Sequence, residues 1–508
     1  MEYILEKNAV GVLTRALDSV SEQPVDIDFT LPDYCPDIEK ILRCKITPKI
    51  YNRNLSGGQL QIDGTTVVNI LYTDNKDNIR ACEQSIPFNT SFSVKEVPDN
   101  YVIETEVKCE YLNYRPLSQR RITVHGAFSL YAKVYTKGSV ELYSPNEESN
   151  LEYNTEEITL CALSSLCQEQ FSAGDEIQVV NKPPVEIILD SDVNAVLTEF
   201  KTLPDKMMFN GELNIRMLYQ SNADNTKIEH LDYTVPFSKI VDCGGLNDNT
   251  KVNVSLSLLS YDIRLKNDIL SENPIVNIDS RLSATVTGYN SETVTVITDA
   301  YSTEFQTELE KSSVKISESA DILRDSFMYK SSVDVAESDI AEIIDFNVKY
   351  SLSGAEISDN KVTLSSKLIV SILAYNSENE PLYIERALEF DKEIDASGNN
   401  TVGSASAEIL SVSYRIAENG TVELRCEIVY DIILEKNNTL TLVTSVTADE
   451  DKKIDKRSSA LVLYYAENGE SLWDIAKRFN TGKNLIMKEN SLDSDEINNS
   501  EMLLIPMV

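Results

Sequence analysis

Along most of the chain, apolar and polar residues alternate with a period of two in runs rich in Val, Ile, Thr, Ser and Tyr. That pattern predicts strands with one face in a core and one in water, and hence antiparallel sheet. Three apolar runs end in a tyrosine followed by a polar turn: T-T-V-V-N-I-L-Y at Tyr72, G-E-L-N-I-R-M-L-Y at Tyr219 and S-K-L-I-V-S-I-L-A-Y at Tyr375. Upstream of each, a segment opens on aspartate and carries apolar residues at helical spacing: Asp37 with Ile38, Ile41 and Leu42; Asp192 with Val193, Val196 and Leu197; Asp339 with Ile340, Ile343 and Ile344. Each segment predicts a capped helical turn laid on a core. Downstream, alternating strands end at Tyr111, Tyr261 and Tyr414, each followed by a further strand pattern. Features recurring in one order predict three copies of a unit of about 150 residues. Solenoid units run about 20 to 50 residues, so each copy should be a domain with its own core.

The expected fold class is mainly β: three tandem antiparallel β-sandwich-like domains at 1–143, 158–307 and 322–447, then a small α+β (βααβ) module at 461–508. Ser144–Glu157 and Glu308–Asp321, rich in Ser, Asn and Glu, read as linkers, and Ala448–Ser459 as a charged hinge. The strand order within a copy does not follow from the pattern.

At the C-terminal end the period changes. Leu472, Ile475, Ala476 and Phe479 form the apolar stripe of a short amphipathic helix. Ser471 and Asp474 are spaced for a capping box, and Gly469 ends the preceding strand. A second helix is expected from Thr481 to Asn490 and a closing strand from Met502 to Met507. The sequence Y-x-A-x-x-G-E-S-L-W-x-I-A-x-x-F, from Tyr464 to Phe479, with Asn490, Leu503, Ile505 and Pro506, resembles the LysM domain family. Members bind N-acetylglucosamine-containing glycans in a shallow groove. The resemblance places that groove at Gly469, Glu470, Ser471 and Leu472 and at Ser491, Leu492 and Asp493. If Tyr464 and Ala466 face the core, Leu461, Leu463 and Tyr465 face outward. Trp473 lies one residue off the stripe, about 100° around the helix, at the edge of the small core. An uncovered apolar face marks a partner surface, so Leu461, Leu463 and Trp473 are the candidate partner-binding residues.

Charge narrows the partners. The 508 residues carry 82 Asp and Glu against 46 Lys and Arg, a net charge of −36 spread along the chain, which speaks against nucleic acid and anionic membranes. The first residues lack a signal-peptide pattern and no window reads as a membrane span, so a cytosolic protein is expected. The 8 cysteines show no C-x-x-C spacing and are expected as free thiols. Phosphate-loop, dinucleotide, nucleophile-elbow and zinc-protease motifs are absent, and the 2 histidines, His125 and His230, have no neighbouring ligands in sequence. Neither catalysis, nor a cofactor, nor a metal is expected.

The first copy opens with L-P-D-Y-C-P-D-I-E-K-I-L, from Leu31 to Leu42. This stretch, the tandem copies and the C-terminal LysM together resemble the SPOCS domain family of spore-forming bacteria. The resemblance implies a non-enzymatic adaptor in the mother-cell cytoplasm at the forespore surface. It would join coat proteins to stage IV sporulation protein A, the coat-basement ATPase, through the LysM. The alternative is a cell-wall protein that binds peptidoglycan or other N-acetylglucosamine glycans.

Overall fold

In a computed structural model the chain is described over residues 1–507, apart from 96, 147–149, 181, 222–226, 267–273, 336–338, 397–399, 418–420, 455–459, 493, 496 and 498–500. Among the described residues eighteen strands precede the C-terminal module, six to a repeat. Repeat one holds β1 (Glu6–Thr30), β2 (Lys40–Ser56), β3 (Gln59–Thr73), β4 (Ile79–Ser93), β5 (Tyr101–Ser118) and β6 (Arg121–Ser144). Repeat two holds β7 (Leu151–Gln178), β8 (Val185–Leu203), β9 (Lys206–Ser221), β10 (Ile228–Asp242), β11 (Lys251–Lys266) and β12 (Ile275–Ser302). Repeat three holds β13 (Phe305–Asp334), β14 (Ile340–Ser358), β15 (Lys361–Asn376), β16 (Pro381–Asp395), β17 (Thr401–Ile416) and β18 (Thr421–Lys453). The topology repeats three times: strands two, three and four form a meander, while strand six lies between strands one and five. All pairings are antiparallel.

Alternating side chains from the two sheets of each repeat close its own core. Phe29, Leu60, Tyr72 and Phe128 lie in the first, Phe209, Met217 and Tyr219 in the second, and Leu368, Ile372 and Ile428 in the third. The repeats do not stand apart. Leu42 and Leu71, Leu189 and Leu218, and Ile344 and Leu373, two equivalent positions from each repeat, pack into one shared cluster. A second shared cluster joins Val10, Ile158 and Ile316 with strand-six residues of every repeat, and a third joins Leu5, Ile297 and Val443. Strand four of each repeat touches strand two of the next, β4 on β8, β10 on β14 and β16 on β2. This closed cycle arranges the repeats about a pseudo-threefold axis. The N-terminus helps close it, since the amide of Tyr3 donates to Val446 and that of Ala448 to Met1.

Several sequence expectations change. The aspartate-led segments lead into or lie in strands β2, β8 and β14 and form no helical turns: Ile41 and Leu42, Asp192 to Leu197, and Ile340 to Ile344 are strand. In each repeat a β-bulge sits at the start of strand two, between Ile41 and Arg43, Ile188 and Asp190, and Ile343 and Asp345. Consecutive apolar residues there serve two cores: Ile41, Ile188 and Ile343 face their own sandwich, and Leu42, Leu189 and Ile344 the shared cluster. Apolar residues on both faces imitate helical spacing. In repeat two the equivalent pair is Ile188 and Leu189 rather than Val196 and Leu197.

The third tyrosine is also out of register. Tyr72 and Tyr219 pair with Ile41 and Ile188, whereas Ile343 pairs with Ala374. Tyr72 and Tyr219 are buried and donate to the carbonyls of Pro36 and Pro183 at 3.1 Å. Tyr375 packs at the shared cluster instead. Finally, the linkers are strand: residues 151–157 belong to β7 and 308–321 to β13, because strands one and six run past the sandwiches to build the shared clusters. Ala448–Lys453 of the hinge continues β18, and residues 455–459 lie outside the described residues.

The P-D-Y-C-P-D stretch is the crossing from β1 to β2. Arg120 pins it, donating to Asp37 at 2.6 Å, to the Cys35 carbonyl at 3.1 Å and to the Pro32 carbonyl at 2.9 Å. The cysteines depart from expectation at one pair, Cys167 and Cys243, which form a disulfide with a Cα separation of 5.8 Å inside repeat two.

Candidate functional site

The C-terminal module is β19 (Leu461–Ala466), α1 (Leu472–Phe479), α2 (Lys483–Asn490) and β20 (Glu501–Pro506), with β19 antiparallel to β20. Leu472, Ile475, Ala476, Ile486, Leu503 and Ile505 fill its core. Asn490 ties α2 to β20: its side chain donates to the Leu504 carbonyl and accepts from the Leu504 amide, both at 2.7 Å. Ser471 is the N-cap of α1, but its side chain makes no cap hydrogen bond. The capping box is therefore not formed, and the Ser471 carbonyl alone accepts from Ile475.

The two-stranded sheet covers its core with one face only. On the other, Leu461, Leu463 and Tyr465 are 46, 58 and 74% exposed, and Met502, paired with Tyr465, is 51% exposed. A continuous apolar strip runs from Leu461 to Tyr465. Sequence reasoning found β19's half of it; Met502 and Leu504 follow only once β20 is paired in register.

Trp473 is elsewhere. It is 6% exposed and faces repeat two, not solvent. Its indole N–H donates to Asp299 Oδ2 at 2.9 Å, and its ring meets Tyr301 edge-on at 4.9 Å between centroids. Lys477 Nζ reaches the same carboxylate oxygen at 2.6 Å, and Lys311 Nζ lies 3.6 Å from the other. The Tyr301 hydroxyl donates to the Thr481 carbonyl at 2.7 Å in a buried bond. Burial alone would raise the Asp299 pKa, but hydrogen bonds from Lys477 and Trp473 outweigh it and hold the carboxyl below its usual range. Trp473 thus does not share an open surface with Leu461 and Leu463: a side chain at the edge of a small core is covered by whatever packs on that edge. Asp299 and Tyr301 were invisible in the sequence, where T-D-A-Y-S reads as ordinary strand. A bulge at Thr298 turns them toward the module.

Of the groove residues, Gly469 takes φ +85°, which favours glycine, and its amide donates to the Ile497 carbonyl at 2.9 Å. Ser471 and Ser491 are exposed, Leu492 is half-buried and Leu472 is fully buried. The Glu470 carboxylate accepts from the Tyr464 hydroxyl at 2.6 Å and the Glu467 amide at 3.1 Å, with Arg478 at 3.4 Å. The Tyr464 hydrogen bond is the main reason its pKa falls below the usual range. Asp493 lies outside the described residues.

At the pseudo-threefold axis a charge network replaces apolar packing. Arg43 reaches Asp190 at 2.7 Å, and Lys45 reaches Asp190 at 3.0 Å and Asp192 at 2.7 Å. Arg216 pairs with Asp192 at 2.6 Å and with Asp345 of repeat three. Burial opposes the charge of Arg43 and Arg216, yet the carboxylates beside them outweigh it and raise both pKa values. Further along, strands of all three repeats border a half-open cavity of about 330 Å³, lined among others by Glu104, Lys133, Ser255, Arg324, Glu408 and Asp431. Burial, then the Asp431 carboxylate, pushes Glu408 up to about 7. Among the described residues no group of His, Cys, Asp and Glu is placed to hold a metal ion. No helix among them is long and apolar enough to cross a membrane. His125 pairs with Asp26 on an exposed face.

Comparison with known proteins places these features. The family model described as SipL, SPOCS domain matches residues 37–117 and 184–266, the corresponding parts of repeats one and two, and the LysM domain model matches 464–506. No curated protein and no solved structure matches the chain. Both matched families are binding or structural domains, the SPOCS match points to the spore coat and the LysM match to glycan binding. Two SPOCS matches followed by a C-terminal LysM match the domain order of a SipL-like SPOCS-plus-LysM protein.

Proposed function

We propose that the chain is a non-catalytic structural adaptor of the spore coat, working in the mother-cell cytoplasm at the forespore surface. Its LysM grips the coat-basement ATPase, stage IV sporulation protein A, and its three repeats, centred on 1–143, 158–307 and 322–447, engage other coat proteins. The observation that carries this reading is the uncovered apolar face of the LysM sheet, with Leu461, Leu463, Tyr465 and Met502 all about half or more exposed. A glycan seated in the groove at 469–472 and 491–492 would leave this strip, on the sheet face, in water. Glu470 supports the same reading, because its carboxylate is engaged within the module.

The test is binding of purified stage IV sporulation protein A to the full chain and to Leu461→Arg and Leu463→Arg. A charge placed in a desolvated contact costs on the order of 2 kcal/mol, so each variant should bind roughly thirtyfold more weakly while melting like the parent. The second reading, glycan binding, rests on the open rim at Gly469, Ser471 and Ser491. It takes over if both variants bind the ATPase normally and chitin-type oligosaccharides compete.

A further inference from the structure

The contact between the LysM and repeat two is specific to one repeat. The bulge at Thr298 has a counterpart at Thr444 in repeat three, and the two threonine hydroxyls donate alike to the carbonyls of Asn154 and Glu310. By that register Asp299 and Tyr301 correspond to Ser445 and Thr447, which have neither a carboxylate nor a ring to offer. In repeat one β6 ends at Ser144, before these positions. Among the described residues, only repeat two offers a carboxylate and a ring at these positions.

What is held is the tryptophan of the LysM. Trp473, the chain's single tryptophan, is covered on repeat two's side, while the sheet face stays open. The two surfaces meet at one seam. Thr481, whose carbonyl takes the Tyr301 hydroxyl, donates its own hydroxyl to the Pro506 carbonyl at 2.6 Å, and Pro506 is the register partner of Leu461. A partner seated over Leu461 therefore abuts the docked edge. The contact combines the packing of Tyr301 in the LysM core cluster and its buried bond to Thr481 with polar bonds on the Asp299 carboxylate, whose partners Lys477 and Lys311 each stay about two-fifths exposed. Water and salt can replace such bonds, as in interfaces that open.

We infer that docking on repeat two is an autoinhibitory latch, in which Asp299 and Tyr301 mask the Trp473 edge of the LysM and release of that edge completes its partner surface. The inference rests on the reading of the LysM as a protein-binding module. In the latched state a partner meets the open sheet face, Leu461, Leu463, Tyr465 and Met502, without the tryptophan. In the open state it gains a tryptophan, the residue type that most often anchors interfaces.

Asp299→Ala and the milder Tyr301→Phe test this without touching the LysM itself. Trp473 reports directly, because its emission is the only indole emission the full-length protein has. Both variants should shift it to longer wavelength and raise its quenching by acrylamide. Both should also bind purified stage IV sporulation protein A about threefold or more tightly, since the competent fraction rises. Unchanged emission and quenching in both would overturn the latch. So would exposed indole with unchanged or weaker ATPase binding. Leu463→Arg separates the two readings: if it binds the ATPase normally the partner-face proposal fails, while the indole measurements still decide the docking.

Discussion

Asp190 stands where three repeats meet, its side chain 3% exposed and in contact with Arg43, Lys45 and Arg216. Removing it would leave cations buried without a counter-charge, a change that costs about 3 kcal/mol or more. Urea denaturation of Asp190→Ala should show that loss, with Asp190→Asn intermediate. A loss below about 1 kcal/mol would mean that water already screens the axis. Glu408 titrates in the opposite sense. Its folded pKa, about 7, lies above the ordinary 4.5, so the fold favours the neutral acid. The stability it confers is present below pH 4.5 and is lost as pH rises through 7. Glu408→Gln should therefore stabilise the protein by up to about 3 kcal/mol at pH 8 and by little at pH 4.5, read from thermal melts at both pH values. Neither residue could be singled out from the sequence. Their importance comes from which strand of another repeat lies opposite, and a local pattern carries no such information.

The elements were legible where one face meets one core. Period-two alternation finds most strands, and a helical stripe finds α1, because both follow from burying a single side. Reading failed where a strand serves two cores. The bulged starts of β2, β8 and β14 looked helical, and strands β7 and β13, partly outside the sandwiches, looked like linkers. The third tyrosine sits one register position along, with Ala374 opposite Ile343, which a repeat signature anchored on tyrosine cannot detect. In the LysM the outward residues of β19 were legible, yet the cover over Trp473 was not, since Asp299 lies 174 residues away. The structure also changes what the helix cap is expected to do. With no side-chain bond from Ser471, Ser471→Ala should cost well under the roughly 1 kcal/mol typical of a lost cap. Melting of the full chain followed by Trp473 emission measures it, and a loss of a full 1 kcal/mol would show that the cap forms in solution.

As a whole, the protein is a ring of three sandwiches that share apolar clusters, with the LysM set on the end of the second. Because the repeats share buried surface, residues 1–453 should unfold in one cooperative β-rich transition without the LysM, as followed by circular dichroism; separate transitions would contradict the shared clusters. The Cys167–Cys243 bond closes a loop of 76 residues in sequence, so its reduction should lower stability by about 4 kcal/mol in the chain-entropy view. Equal melts with and without reductant would show that the pair is not bonded in solution. The net charge of −36 leaves basic or neutral surfaces as the natural partners of the ring. The central claim is that the outer sheet face of the LysM is where the coat-basement protein binds. Hydroxyl-radical footprinting tests it directly, because methionine and tyrosine are reactive side chains and Met502 and Tyr465 sit side by side on that face. In complex with purified stage IV sporulation protein A, oxidation of Met502 and Tyr465 should fall sharply relative to the free chain. Unchanged oxidation of both, with protection confined to the loops at 469–472 and 491–492, would contradict the account.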